Sequence, residues 1–281
     1  MGKHYIPKYY LKGFTKNRGN QIWTYRKDGS CFPVSLDKIA QETNMYSGET
    51  ENYITSEIEN PANAVIKKIR ERVPIDIEDK KNLTRYMISL IQRTPESYQD
   101  YLQNSEETLD QLLDDEKQKL KKLIIDDPKN EDKYTIIVES LEQIVSDFKL
   151  APPKEAWEMA IKPDLYPRFN WALMNKKWNF YYADNDRSAF ITSDNPIFYF
   201  KGFGLSHPKS QISFPVSENI CLIASWDGEL ENEYIKISEK AIKEINYRTA
   251  SNIYSFAFYS KDKDWVKKII SKKDYEFKLL I

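Results

Sequence analysis

The side chains best suited to chemistry in this chain are few and lie far apart. They are His4 and Tyr5 in "HYIPKYYLKGF", Glu59 in "EIENPA", Arg93 in "IQRTPE", and Asp194 and Asn195 in "ITSDNPI". His4 titrates in the range of a general base near neutral pH, and Tyr5 and Tyr10 beside it could orient it or a substrate. Asp194 and Glu59 offer carboxylate oxygens to a divalent cation, Mg or Mn. Asn195 both donates and accepts, which suits it to orienting a water. Arg93 suits bidentate grip of a phosphate or carboxylate and neutralisation of developing negative charge. Together these residue types form the parts list of a metal-assisted hydrolase of phosphodiester or nucleotide bonds.

Each residue also has a plainer reading. A histidine among tyrosines packs and hydrogen-bonds. Asp and Asn before a proline are turn residues whose side chains bond backbone. A glutamate opening a helix is favoured by the N-terminal partial charge, and an arginine closing one by the C-terminal dipole. His207, in "GLSHPKS" with no acidic neighbour, reads as a turn residue. Sequence spacing does not choose between these accounts, because the candidates come from separate elements.

Those elements are legible. "QIWTYRKDGSCFPV" predicts a hairpin, with arms Ile22–Tyr25 and Cys31–Val34 around Asp28-Gly29. In "ENPANAVIKKIRERV", Asn60 is expected to cap a helix, with Pro61 in its first turn. Leu83, Met87, Leu90 and Ile91 share one face of a core helix that stops before Pro95. A narrow apolar stripe from Tyr98 to Ile124 is answered, after a polar turn, by one from Tyr134 to Phe148, predicting an antiparallel helical hairpin closed by "APP" at 151–153. From residue 178 onward, short β-branched and aromatic runs alternate with turn clusters such as "DNDR", interrupted by a helix capped by Ser238 and another near Asp264. The expected class is α+β: a mostly antiparallel sheet packed with a helical subdomain containing a charged helical-hairpin insertion at 97–150, within one domain spanning 1–281.

With its elements in order, "HYIPKYYLKGF" resembles the HYVPxFYLxxF opening of domain-of-unknown-function family 4238, a bacterial and phage family. Further matches follow in the family's order: "NMYS" at Asn44–Ser47, "EIENPA" at Glu57–Ala62, "IQRTPE" at Ile91–Glu96, "ITSDNPI" at Ile191–Ile197 and "FPVS" at Phe214–Ser217. The opening and "TSDNP" are the specific parts of the resemblance, which covers most of the chain. Met45 replaces an aromatic and Val216 a leucine. The resemblance implies no particular reaction, because the family carries no settled activity.

Composition excludes more than it selects. The 42 basic and 43 acidic residues nearly cancel, so no global field steers the chain to nucleic acid or an anionic membrane. Aromatic residues make up 14% and apolar residues 41% of the chain, enough for a packed core. Cys31 and Cys221 have no metal-ligand spacing, no apolar leader follows Met1, and no run reaches a membrane span, so a reducing cytoplasm is the expected location. Phosphate-loop, dinucleotide-fingerprint, zinc-protease, serine-hydrolase and kinase motifs are absent. The expected function is therefore the metal-assisted hydrolase, a nuclease-like toxin or phage-defence effector. Catalytic roles fall to His4, Tyr5, Arg93 and Asn195, metal binding to Asp194 and Glu59, and the substrate is nucleic acid or a nucleotide. The alternative is a non-enzymatic module that binds a ligand or protein in the same cleft, with the helical hairpin as its arm.

Overall fold

The computed structural model describes residues 3–42, 45–150, 154–183, 189–200, 202, 204–272, 275 and 277–280. Asn44 of "NMYS", the "APP" at 151–153 and the "DNDR" turn at 184–187 lie outside the described residues. The chain opens with strand β1 (Lys3–His4) and a helical turn α1 (Lys8–Leu11). The expected hairpin follows as β2 (Gln21–Arg26) and β3 (Cys31–Ser35), paired antiparallel. Its turn uses Gly29 at φ 87°, where a side chain would be strained, and Asp28 Oδ1 accepts the Ser30 N–H at 2.8 Å. Strand β4 (Gln41–Glu42) then returns to pair with β1.

The next helix does not start at Asn60. It starts at Gly48, where Ser47 Oγ accepts the Thr50 N–H at 3.1 Å, and runs unbroken through α2 (Gly48–Tyr53), a π-helical segment (Ile54–Glu59) and α3 (Asn60–Arg70). Asn60 is itself helical, at φ −61° and ψ −48°, and its N–H reaches back five residues to Thr55 O. The wider π turn admits Pro61 into the helix: proline has no N–H to donate and its ring would clash with the carbonyl one α-turn earlier. Helix α4 (Ile77–Gln92) begins with Asp76 and Asp79 capping one another reciprocally, at 2.9 and 3.0 Å. It buries Leu83, Met87 and Leu90 as the periodicity requires.

Residues 95–160 form a compact unit of their own. In it α5 (Pro95–Asp126) packs on α6 (Glu131–Leu150), followed by α7 (Lys154–Ala160). Lys117 pairs with Glu142 at 2.5 Å and Asp110 with Lys149 at 2.6 Å; as one index rises the other falls, so the helices run antiparallel. Trp157 of α7 packs its ring against Tyr98 and Tyr101, centroids 4.9 and 5.5 Å away. Leu120 is buried, while Leu112, Ile125, Ile136 and Ile144 are exposed.

The other unit comprises residues 1–94 and 161–281. After α8 (Pro167–Asn175) come β5 (Lys177–Tyr182), β6 (Thr192–Ser193), β7 (Phe198–Tyr199), β8 (Ile212–Ser217), β9 (Ile220–Ser225) and β10 (Tyr234–Lys236). Helix α9 (Glu239–Ser251), capped by Ser238, strand β11 (Phe256–Tyr259) and helix α10 (Asp264–Ile270) complete it. One sheet has the order β10-β5-β9-β8-β7, antiparallel except for the β10–β5 pair. A second sheet, β3-β2-β11-β6, is antiparallel throughout and joins the N-terminal hairpin to the last strand. The fold is thus mixed helix and strand with antiparallel-dominated sheets. No helix among the described residues is long and apolar enough to cross a membrane.

The opening stretch is core. Tyr10 is fully buried and stacked on Phe214 at 5.2 Å; its hydroxyl donates to Pro215 O at 2.7 Å and accepts from Thr192 Oγ1 at 2.6 Å. One side chain therefore joins "HYIPKYYLKGF" to the "TSDNP" and "FPVS" segments. Replacing residues 104–147 with a short linker is expected to leave the larger unit folding cooperatively, because the smaller unit has its own internal contacts. Thermal melting checks this, and a broad, non-cooperative transition would mean that the larger unit needs the hairpin.

Candidate functional site

Of the candidate residues, Glu59 is the one that meets Arg93 directly. The Arg93 side chain is fully buried and follows the last turn of α4, where its backbone N–H still bonds Ser89 O at 3.1 Å. Its Nη1 stands 2.7 Å from Glu59 Oε1, at the end of the π-helical segment. The approach is poorly aligned: Nε, Nη1 and Nη2 all lack a hydrogen-bond acceptor of good geometry among the described residues. Burial disfavours the guanidinium charge, but Glu59 and the Tyr46 and Tyr86 hydroxyls more than offset this, so the pKa is raised. Arg93 is therefore charged.

The surrounding groups are polar and under-satisfied. Tyr86 and Ser89 are fully buried on α4, and neither hydroxyl has a hydrogen-bond partner among the described residues. The same holds for Glu51 Oε2 on α2 and Asn63 Oδ1 on α3, one turn beyond Glu59. Tyr46 is buried within electrostatic reach of Arg93, Glu51 and Glu59, and burial holds its pKa well up. Buried polar atoms are nearly always paired, so these unpaired ones single out this part of the helical layer.

His4 touches this centre through its backbone. Its Nε2 is 2.9 Å from Leu36 O, while its carbonyl accepts the Tyr46 hydroxyl at 3.2 Å. Its imidazole secures the chain end, and its backbone touches the centre through Tyr46. Tyr5 is buried and lies in the field of Asp194, Glu42 and Tyr254; burial raises its pKa strongly, leaving a neutral hydroxyl.

Asp194 is fully buried and engaged with backbone. Oδ1 accepts the Tyr254 N–H at 3.0 Å, and Oδ2 accepts Ser255 and Phe256 N–H at 2.6 and 2.8 Å. These amides lead into β11, so the backbone that starts that strand takes up three of the carboxylate's acceptor positions. Asn195 closes the turn: its N–H bonds Ser193 Oγ at 3.2 Å, and its carbonyl accepts Ser193 Oγ at 2.8 Å and Asn252 Nδ2 at 2.9 Å. Arg93 and Glu59 are thus brought together and Tyr5 is near Asp194. Among the described residues, however, no group of three or more His, Cys, Asp or Glu is placed to hold a metal ion.

Sequence reasoning missed Tyr46, Glu51, Asn63, Tyr86 and Ser89. Two spacings carried a signal. Tyr86, Ser89 and Arg93 fall at i, i+3 and i+7, one polar face of a helix otherwise read for its apolar stripe, and Glu59 and Asn63 fall at i and i+4. The fold and site define a mixed helix-and-strand protein with an arginine–glutamate pair buried in its helical layer. A family model described as "Protein of unknown function (DUF4238)" matches residues 3–263, and the chain belongs to that family. No curated protein and no solved structure matches it.

The Asp194 geometry predicts the effect of Asp194→Asn. Asparagine keeps one oxygen and turns an NH2 group towards amide donors, so stability should fall by about 1–3 kcal/mol in urea denaturation. Burial pushes the Asp194 carboxyl up to about 6, against the pull of the three amides. Between about pH 4 and about pH 6 the folded chain then holds a proton that the unfolded chain has released, so this group's contribution to stability grows as pH falls through that window. The asparagine variant should lack that component of the pH slope.

Proposed function

We propose that the protein binds a small ligand carrying a phosphate or carboxylate group at the Arg93–Glu59 centre. The observation that supports this is the fully buried Arg93, none of whose three guanidinium nitrogens has a well-aligned acceptor among the described residues. A bidentate anion supplies the missing acceptors, and Tyr86 and Ser89 can donate to further ligand oxygens. Full burial of Arg93, Tyr86 and Ser89 suits a small molecule, such as a nucleotide, better than a nucleic-acid strand.

Metal-assisted hydrolysis of a phosphodiester or nucleotide bond is the second reading, favoured by the oxygens of Glu51 and Asn63 that lack donors beside Glu59. Such carboxylate and amide oxygens are the ligands that Mg or Mn prefers. In this scheme Glu51 takes the place expected of Asp194, and Arg93 neutralises charge on the phosphoryl group.

The first test is thermal melting with a panel of inorganic phosphate, nucleoside mono- and diphosphates, cyclic nucleotides and small carboxylates. At a concentration near 100 times Kd a binder should stabilise the wild type by about 2.7 kcal/mol. Arg93→Lys, which keeps the ion pair but not the fork, should lose most of that gain. Ordered water is the competing occupant of the unpaired groups; no shift with any compound, or equal shifts in the variant, would establish it. Arg93→Met should instead cost about 1–3 kcal/mol of stability, because the half-buried Glu59 loses its partner. For hydrolysis, Glu51→Gln should lower turnover of the cleaved substrate by roughly a hundredfold in Mg or Mn. Turnover that survives both this change and chelation would remove the metal from the scheme.

A further inference from the structure

At the opposite end of α3 from Glu59 lies a cavity of about 300 Å3, lined by Lys12, Arg18, Arg70 and Arg72 together with Glu218, Asn219 and residues of the opening segment. Glu59 and Arg70 are eleven residues apart, so about 16 Å of helix separates the two places. The cavity is within the range of small-ligand sites, at its lower end. Its lining carries four cations against one carboxylate, in a chain whose total charge is close to zero.

Arg70 builds the floor. Its Nε and Nη2 donate to Val216 O at 3.1 and 2.9 Å, Nη2 also to Tyr10 O at 2.8 Å, and Nη1 to Tyr9 O at 3.2 Å. The guanidinium thereby clamps α1, α3 and β8 into one surface. Gly13 is required beside it: a Cβ there would lie 2.3 Å from Arg70 Nη2 and 2.8 Å from Val216 O. The other three cations are exposed, and among the described residues Lys12, Arg18 and Arg72 form no ion pair. Arg72 Cζ stands over the Tyr182 ring, 3.9 Å from its centroid, a contact that leaves the positive charge uncompensated by any carboxylate among the described residues. Asn17, Arg18 and Arg72 have φ of 54°, 55° and 57°, so the backbone on both sides of the cavity is held in the left-handed region. Glu218, the one acid, is already engaged by Ser260 Oγ at 2.6 Å.

We propose that this cavity binds a small phosphate-bearing molecule of diphosphate size, with Lys12, Arg18 and Arg72 contacting the phosphates and Arg70 holding the floor. The lining's excess of three positive charges matches a diphosphate group, and the cavity is too small for a folded partner. Inorganic pyrophosphate and a nucleoside diphosphate share the recognised chemistry and are the two sources to separate.

Isothermal titration of the full chain with each of these probes, and with a single-stranded oligonucleotide, tests the assignment. One-to-one binding of pyrophosphate alone would mean that the phosphates suffice; tighter binding of the nucleoside diphosphate would add a contact to the base or sugar. Either result supports the site if Lys12→Gln/Arg18→Gln weakens binding by roughly tenfold or more without changing the melting temperature. Affinity should also fall as salt rises from about 50 to about 200 mM. Because Arg93→Lys leaves this cavity untouched, binding here should survive that variant, which separates the two sites. No binding of either diphosphate, binding unaffected by the double variant, or binding of the oligonucleotide alone would overturn the proposal.

Discussion

The carboxylate of Asp194, buried among three backbone amides, is the interaction on which the assembly of this fold depends. It stands just after β6 and gathers the Tyr254, Ser255 and Phe256 N–H groups, so it sets where β11 begins. Strand β11 is internal to its sheet, with β2 on one side and β6 on the other. Through that strand the first hairpin of the chain and its C-terminal segment become one layer. Two asparagines of α9 and the residue following it reinforce the arrangement: Asn246 bonds the backbone of Ala189 and Ile191, and Asn252 that of Asn195 and Ile197.

A second constraint follows from burying charge in the helical layer. Taking Arg93 out of water costs several kcal/mol before its attraction to the half-buried Glu59 is counted. Such a pair is poor evidence for stability and better evidence for a specific demand at that place. The π-helical segment belongs to the same demand. It lets one continuous helix carry Glu51, Glu59 and Asn63 past Pro61, and an α-helix broken at that proline would not hold the three side chains on a single rigid element.

Several side chains tie the opening stretch to distant backbone. Tyr10 ties β8 to β6, Arg70 reads the carbonyls of Tyr9 and Tyr10, and His4 is spent on Leu36 O. The residues that look most chemical in the sequence therefore divide. The side chains of Asp194 and His4 bond backbone, whereas Arg93 and Glu59 face groups that remain unpaired. The exposed cations Lys12, Arg18 and Arg72 drew no notice as sequence, since single basic residues in loops have no pattern until a cavity collects them.

By itself the sequence determined the local elements. The Asp28-Gly29 turn, the apolar face of α4, the two stripes of α5 and α6 and the short aromatic strands follow from hydrogen bonds and side-chain periodicities spanning only a few residues. The family resemblance was equally legible, because it rests on short quoted motifs. Even locally one boundary escaped: Pro61 looks like a helix start, and only the long-range packing of α3 on α4 makes the continuous π-helical path the better one. Tertiary structure alone decided the rest: that β2 pairs with β11, that Asp194 meets the amides of residues 254–256, and that Arg93 meets Glu59. A buried charge is matched by whatever the packing of distant elements brings to it, and no repeat in the sequence records that partner.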